Sequence, residues 1–264
     1  STLNPETRRC GGMHYTSIEN IHKVIDPLFM DELNAEFESL KEIKSEKARN
    51  EKLIAFQKKL GSLTFLDPAC GSGNFLTESY LSLRKLENNC IKLRLGAHGS
   101  ALDLLGEDFA IHVKIEQFYG IEINDFAAVV AKTALWIAES QMMNETARIL
   151  GRNLDFLPLK SYANIVEGNA LRLDWESVVP KSALHYIMGN PPFVGARLMN
   201  EEQKKDVFSV WEHTKNIGNV DYVSCWYKKS TDLMHGTTIK AALVSTNSIT
   251  QGEQVAIMWK PLFK

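Results

Sequence analysis

Two short stretches of the 264-residue chain hold residues whose types and spacing suit chemistry. The first is Asn190-Pro191-Pro192-Phe193, behind the apolar run Ala183–Met188. Paired prolines end a sheet ladder and stiffen the turn, so the Asn190 side chain and the Pro191 carbonyl stand at fixed positions. Two such acceptors can hold the two hydrogens of an exocyclic amine. The nitrogen of that amine is a poor nucleophile, because its lone pair is delocalised into the ring. The acceptors favour a pyramidal nitrogen and stabilise the positive charge that develops on attack, each contact typically worth about 3 kcal/mol. Phe193 adds a flat face on which a flipped base can stack, worth roughly 1–3 kcal/mol. The chemistry that suits such acceptors is methylation of the amine, which needs no strong general base because the methylated ammonium loses its proton readily. The alternative for this tetrapeptide is a rigid turn that seats a core phenylalanine.

The second stretch runs Thr64-Phe65-Leu66-Asp67-Pro68-Ala69-Cys70-Gly71-Ser72-Gly73-Asn74-Phe75-Leu76. An apolar strand enters a turn with glycines at alternate positions, and a helix opens behind it. Gly71 and Gly73 allow positive φ and let a ligand approach backbone without meeting a Cβ. The strand ends on Asp67, and the third glycine of the dinucleotide fingerprint is missing. That suits a nucleoside with an amino-acid tail better than one with a pyrophosphate. Glu122, in Tyr119-Gly120-Ile121-Glu122-Ile123-Asn124, stands at the end of a second apolar run and can take ribose hydroxyls; capping the next helix is its other reading. It follows the glycine turn by about fifty residues, where about twenty is usual, so the spacing predicts an insertion near residues 88–116. Asn169, in Gly168-Asn169-Ala170-Leu171, is a third strand-end polar residue, able to meet an adenine edge or to serve as a turn residue.

These groups need elements to position them. Short apolar runs at Leu63–Leu66, Gln117–Ile121, Asn164–Val166, Ala183–Met188 and Ile239–Val244 alternate with helical stretches, of which Phe126–Met142 is the clearest. Such alternation predicts an α/β fold, a mostly parallel sheet with helices on both faces. Residues 1–61 read as a helical segment and 62–264 as the catalytic core. Ser17 can cap a first helix through about Ile25, and Asp26 a second with Pro27 at its first position. Leu28, Phe29, Leu33, Phe37, Leu40 and Ile43 recur at helical spacing, which predicts a face packed on the main domain. Gly61 is expected to close a third helix containing Leu53, Ile54, Phe56 and Leu60. Gly96 and Gly99 are expected to break the stretch near Asn88–Glu116, with a short helix over Ala101–Ile111.

Bulk properties narrow the field. Apolar content of 44% and charged content of 23% are those of a globular protein. No apolar run is long enough to span a bilayer, and no signal pattern opens the chain, which points to no membrane partner; the scattered cysteines make a reducing cytoplasm the natural reading. Cys10, Cys70, Cys90 and Cys225 form no CxxC pair, so no metal is expected. The formal net charge of -2 argues that any nucleic-acid affinity must be local or lie elsewhere. Lys58-Lys59, Lys204-Lys205 and Lys228-Lys229 could add to it, though solvated helix faces are the favoured reading.

With these motifs in order, the chain resembles the adenine-N6 DNA amino-methyltransferases. Asp67 to Gly73 is similar to their cofactor loop, Gly120-Ile121-Glu122 to their ribose-binding strand end, and Asn190 to Phe193 to their catalytic tetrapeptide. Gly168-Asn169-Ala170-Leu171 resembles their adenine-edge motif, which often has Asp at the position of Asn169. Gly12-Met13-His14-Tyr15-Thr16-Ser17 resembles the segment that covers the cofactor's methionine end, and its place ahead of the glycine loop implies the gamma order of motifs. Asp221-Tyr222-Val223 and Ala242-Leu243-Val244-Ser245-Thr246-Asn247 resemble two motifs that shape the target-base pocket. Residues 12–38, 186–199 and 219–254 look like type IIG restriction-modification enzymes and related phage-defence methyltransferases. The resemblance implies a Rossmann-like class I methyltransferase fold, truncated at the C-terminus with about five of seven strands. It implies S-adenosyl-L-methionine as cofactor, held by His14, Tyr15, Thr16, Asp67, Ala69, Cys70, Gly71, Gly73, Phe75, Glu122, Ile123, Asn169 and Ala170. It further implies N6 methylation of a flipped adenine in double-stranded DNA, with Asn190, Pro191, Pro192 and Phe193 catalytic and a target-recognition domain outside this chain. An open edge at the last strand would favour self-association.

Other readings remain. Ribosomal-RNA guanine-N2 and protein-glutamine methyltransferases share the glycine loop and the Asn-Pro-Pro turn, but generally lack the His14-Tyr15-Thr16 segment. A non-catalytic cofactor-binding module is a third possibility, against which the intact tetrapeptide argues. A dinucleotide oxidoreductase fits worst.

Overall fold

The computed structural model describes residues 16–98, 110–151, 163–212 and 214–263. Ser17 caps the first helix, α1 (Ile18–Ile25), by accepting the Asn20 N–H. A π turn over Asp26–Met30 joins it directly to α2 (Asp31–Lys41), and Ser45 caps α3 (Glu46–Ser62). The apolar residues predicted to share a face do so: Leu28, Phe29, Leu33, Phe37 and Leu40 are buried, and Ile43 packs beside them. The Phe29 ring lies 5.0 Å from that of Phe65 on the first strand, which fixes this helical segment on the sheet.

All five expected strands form, and all pair in parallel: β1 (Phe65–Asp67), β2 (Phe118–Glu122), β3 (Asn164–Glu167), β4 (Tyr186–Gly189) and β5 (Lys240–Leu243). Their order is β3-β2-β1-β4-β5. Between them run α4 (Asn74–His98), α5 (Asp125–Leu150), α6 (Glu201–Val210) and α7 (Ser224–Met234), with α8 (Glu253–Leu262) after β5. Alternating side chains divide the core in two. Phe65, Phe118 and Met188 join α1 to α5 on one face, whereas Leu66, Ile121 and Ile187 join α6, α7 and α8 on the other. This is the Rossmann-like three-layer arrangement. Chain order reverses at the β1–β4 boundary, and ligands in such sheets bind outside the carboxyl ends of the strands at that switch point.

Several local expectations are corrected. Asp26 does not cap a new helix; it is itself helical and accepts from His22 Nδ1 at 2.8 Å, one turn back. The wide π turn accommodates the Pro27 ring and its missing N–H without a break. Gly61 lies inside α3, not behind it; a Cβ there would meet His112 Cβ at 2.6 Å, so close packing explains the glycine. Gly96 is likewise within α4, whose 25 residues account for much of the long spacing before Glu122. Gly99 and most of Ala101–Ile111 fall outside the described residues. Helix α5 continues past Met142 to a left-handed Gly151 cap. No described helix is long and apolar enough to cross a membrane.

Candidate functional site

A cavity of about 840 Å³ opens over the carboxyl ends of the strands, and both sequence motifs reach it. The turn after β1 folds because Gly71 (φ +54°) and Gly73 (φ +82°) take left-handed backbone. Nothing lies within 4 Å of where a Gly71 Cβ would be, so that peptide faces open space; a Gly73 Cβ would press on Ala131 of α5 at 3.0 Å. The Cys70 thiol is buried, and burial pushes its pKa well up; its N–H donates to the Ile121 carbonyl at 3.0 Å. Its carbonyl accepts the Gly73 N–H at 2.8 Å, so both backbone groups of Cys70 hold the turn. Trp226 Nε1 donates to the Pro68 carbonyl at 3.0 Å and anchors the turn from α7.

Two carboxylates flank the turn. Asp67 is buried and accepts the Ala69 N–H at 3.0 Å. Burial, together with the Glu122 charge, pushes its pKa up to about 8. Glu122 accepts the Gly71 N–H at 2.8 Å with Oε2 and the Asn124 N–H at 2.9 Å with Oε1. The helix cap falls to Asn124, whose Oδ1 accepts the Ala127 N–H at 2.9 Å. An ionised carboxylate offers about four lone-pair sites. Glu122 thus retains acceptor capacity toward the cavity that it lines.

At the switch point β4 delivers Asn190. Its Nδ2 donates to Thr16 Oγ1 at 3.0 Å, joining the N-terminal motif to the tetrapeptide across 174 residues. Its Oδ1 is buried and has no hydrogen-bond partner. A buried acceptor left unpaired costs about 1–3 kcal/mol, which a donor arriving in the cavity would relieve. Pro192 and the half-buried Phe193 line the same cavity, whereas Pro191 is buried beneath them. The Asp221-Tyr222-Val223 segment braces the loop that follows: the Tyr222 N–H donates to the Val194 carbonyl at 2.9 Å, and Asp221 Oδ1 accepts the Ala196 N–H at 3.3 Å.

The cavity thus gathers Thr16, Asp67, Ala69, Cys70, Gly71, Phe75, Glu122, Ile123, Asn169, Ala170, Asn190, Pro192 and Phe193. Gly73 shapes the turn without lining it, and His14 and Tyr15 lie outside the described residues.

Residues 42–264 match the family described as "MmeI, DNA-methyltransferase domain". The chain belongs to that family. The MmeI-type domain is 44% identical over 268 aligned residues to DNA methyltransferase A of Bacillus subtilis (strain 168), covering all of this chain and 29% of that protein. It also superposes on the type IIL restriction-modification enzyme MmeI, solved in complex with DNA, with a TM-score of 0.90 and 41% identity. That match covers 99% of this chain and 34% of the solved one. The chain therefore spans about a third of the length of these relatives.

In this MmeI-type domain the structure adds residues to the site that the sequence did not single out. Gly189 closes on Asp67, Trp226 holds the glycine turn, and Asp206 lines the cavity from α6. Asp206 sits in the run Glu201-Glu202-Gln203-Lys204-Lys205-Asp206, which reads as a solvated helix face. Only the fold reveals that it is buried, so no sequence signal could have found it. One lysine of each pair answers an acid: Lys59 meets Glu36 at 2.5 Å and Lys204 meets Glu201 at 2.9 Å. Lys228 pairs with Asp232, and Lys229 donates to the Leu173 carbonyl.

Proposed function

We propose that this domain transfers a methyl group from S-adenosyl-L-methionine to the N6 amine of an adenine flipped out of double-stranded DNA, as part of a restriction-modification protein. The observation that carries the proposal is Asn190, with Oδ1 buried and unpaired and Nδ2 held by Thr16, in the cavity shared with the Gly71 turn. The names of the relatives, a DNA methyltransferase and a restriction-modification enzyme bound to DNA, support the substrate class.

The residues present fit such a cofactor. The open face at Gly71 admits a ligand against backbone, and Glu122 keeps lone pairs for ribose hydroxyls. Asp67 and Thr16 would flank the methionine end, and Ile123, Ala170 and Phe75 supply apolar walls. When bound, the cofactor supplies an electrophilic methyl carbon. Asn190 Oδ1 accepts an amine hydrogen, steers the nitrogen lone pair and stabilises the charge that forms on it. Because Thr16 fixes the amide, Oδ1 is set as acceptor before the base arrives, and little reorganisation is needed. Phe193 stacks on the flipped ring.

Asn190→Ala tests the proposal. The variant should lose transfer of labelled methyl groups to DNA while binding S-adenosylhomocysteine as the wild type does. Equal loss of both would remove Asn190 from its catalytic role. Labelling of ribosomes or of release factor in place of DNA would overturn the substrate class.

A further inference from the structure

The end of the cavity near β3 is organised around a carboxylate on α6. Asp206 is 5% exposed and lines the cavity. Its Oδ2 accepts from Asn169 Nδ2 at 3.0 Å and from the Tyr222 hydroxyl at 3.0 Å. Its Oδ1 accepts from Arg172 Nε at 2.7 Å. Three donors thus converge on a group with about four lone-pair sites, and the remaining acceptor capacity is on Oδ1. Asn169 is differently placed. Its Oδ1 accepts the Leu171 N–H at 2.9 Å within its own turn, and its amide donates to Asp206. Asn169 therefore keeps one N–H and one lone pair on a neutral amide oxygen, a weaker acceptor of an amine hydrogen than the charged carboxylate beside it.

We infer that Asp206, not Asn169, reads the exocyclic amine of the cofactor's adenine, accepting one N–H at its free lone pair. Asn169 is a positioning residue that, with Tyr222 and Arg172, fixes the carboxylate. The inference rests on the proposed cofactor and goes beyond it by assigning the base-reading group to α6. A buried carboxylate in this position also rejects a ligand that presents a carbonyl oxygen there, because two acceptors then face each other without a proton between them. The site would therefore discriminate an aminopurine from its deaminated counterpart.

Isothermal titration of the protein with S-adenosylhomocysteine and with its 6-deaminated inosine counterpart tests this. The wild type should prefer the adenosine compound by at least about tenfold, the value of one good hydrogen bond. Asp206→Asn, whose amide can donate to a carbonyl, should bring the two affinities within about threefold of each other. Asn169→Ser should keep the wild-type preference, since Tyr222 and Arg172 still hold Asp206. A folded Asp206→Asn variant with an unchanged preference overturns the assignment. So does an Asn169→Ser variant that has lost its preference, and that arm decides the matter if Asp206→Asn does not fold. A wild type that binds both compounds equally overturns the reader alone; one that binds neither overturns the cofactor and the reader together.

Discussion

Gly189, the last residue of β4, faces Asp67, the last residue of β1, so closely that a methyl group on Gly189 would collide with Asp67 Oδ1 and stand 2.9 Å from Cγ. The two strand tips therefore share one volume, and the glycine before Asn190 is fixed by a carboxylate more than a hundred residues upstream. Gly189→Ala must push Asp67 or β4 aside. Overpacking of this kind typically costs about 1–3 kcal/mol. Urea unfolding should show that loss, and titration should show weakened S-adenosylhomocysteine binding. A variant with wild-type stability and affinity would mean that the two tips are not coupled.

Asp67 makes stability depend on pH in a direction opposite to most carboxylates. Its pKa is raised from 3.8 to about 8 in the folded state, chiefly by burial. Between those values the native state keeps a proton that the unfolded chain releases, so this group lowers stability as pH rises, with a slope of at most about 1.4 kcal/mol per pH unit. Below 3.8 both states are protonated and the penalty is absent. Asp67→Asn removes the titration. Its stability relative to wild type, measured by denaturant unfolding from pH 4 to pH 8, should therefore climb with pH. A flat difference would place the Asp67 pKa near its ordinary value.

The sheet and the broad outline of the site are legible in the sequence because both depend on local patterns. Apolar runs punctuated by turn residues mark five strands, and Gly71, Gly73, Glu122 and Asn190 stand at strand ends where chain order alone places them. The ends of elements are less legible. Leu63 reads as strand because it is apolar, yet it terminates α3, and the strand begins at Phe65. Pro27 suggests a helix start where a π turn absorbs it. What no pattern can supply is contact between distant residues. Thr16 against Asn190, Asp67 against Gly189 and Asn169 against Asp206 are separated by 37 or more positions in every pair, and each is set by packing of layers.

Thr16 tests how far the Asn190 amide must be held. Thr16→Val keeps the volume and the β-branch but removes the Oγ1 acceptor that receives Nδ2. The amide can then rotate, and Oδ1 is no longer the group presented to the amine. One such hydrogen bond corresponds to a fall of about tenfold in turnover on DNA. Thr16→Ser should retain most of the rate, because the acceptor remains. If Val and Ser variants turn over equally, the Thr16 contact does not orient Asn190.

Strand β5 has β4 on one side and no strand on the other among the described residues. The N–H groups of Lys240 and Val244 donate to the His185 and Gly189 carbonyls, so by alternation the N–H groups of Ala241 and Leu243 point away from β4. Such an edge can template pairing with a second copy, although its four-residue length and the Lys240 charge blunt it. The 264-residue chain should therefore associate weakly at high concentration, seen as a rising mean mass in size-exclusion chromatography with light scattering. Ala241→Pro removes only an outward donor and should abolish the association while leaving the melting temperature near wild type. A wild-type chain that stays monomeric across the concentration range would show that this edge is already protected.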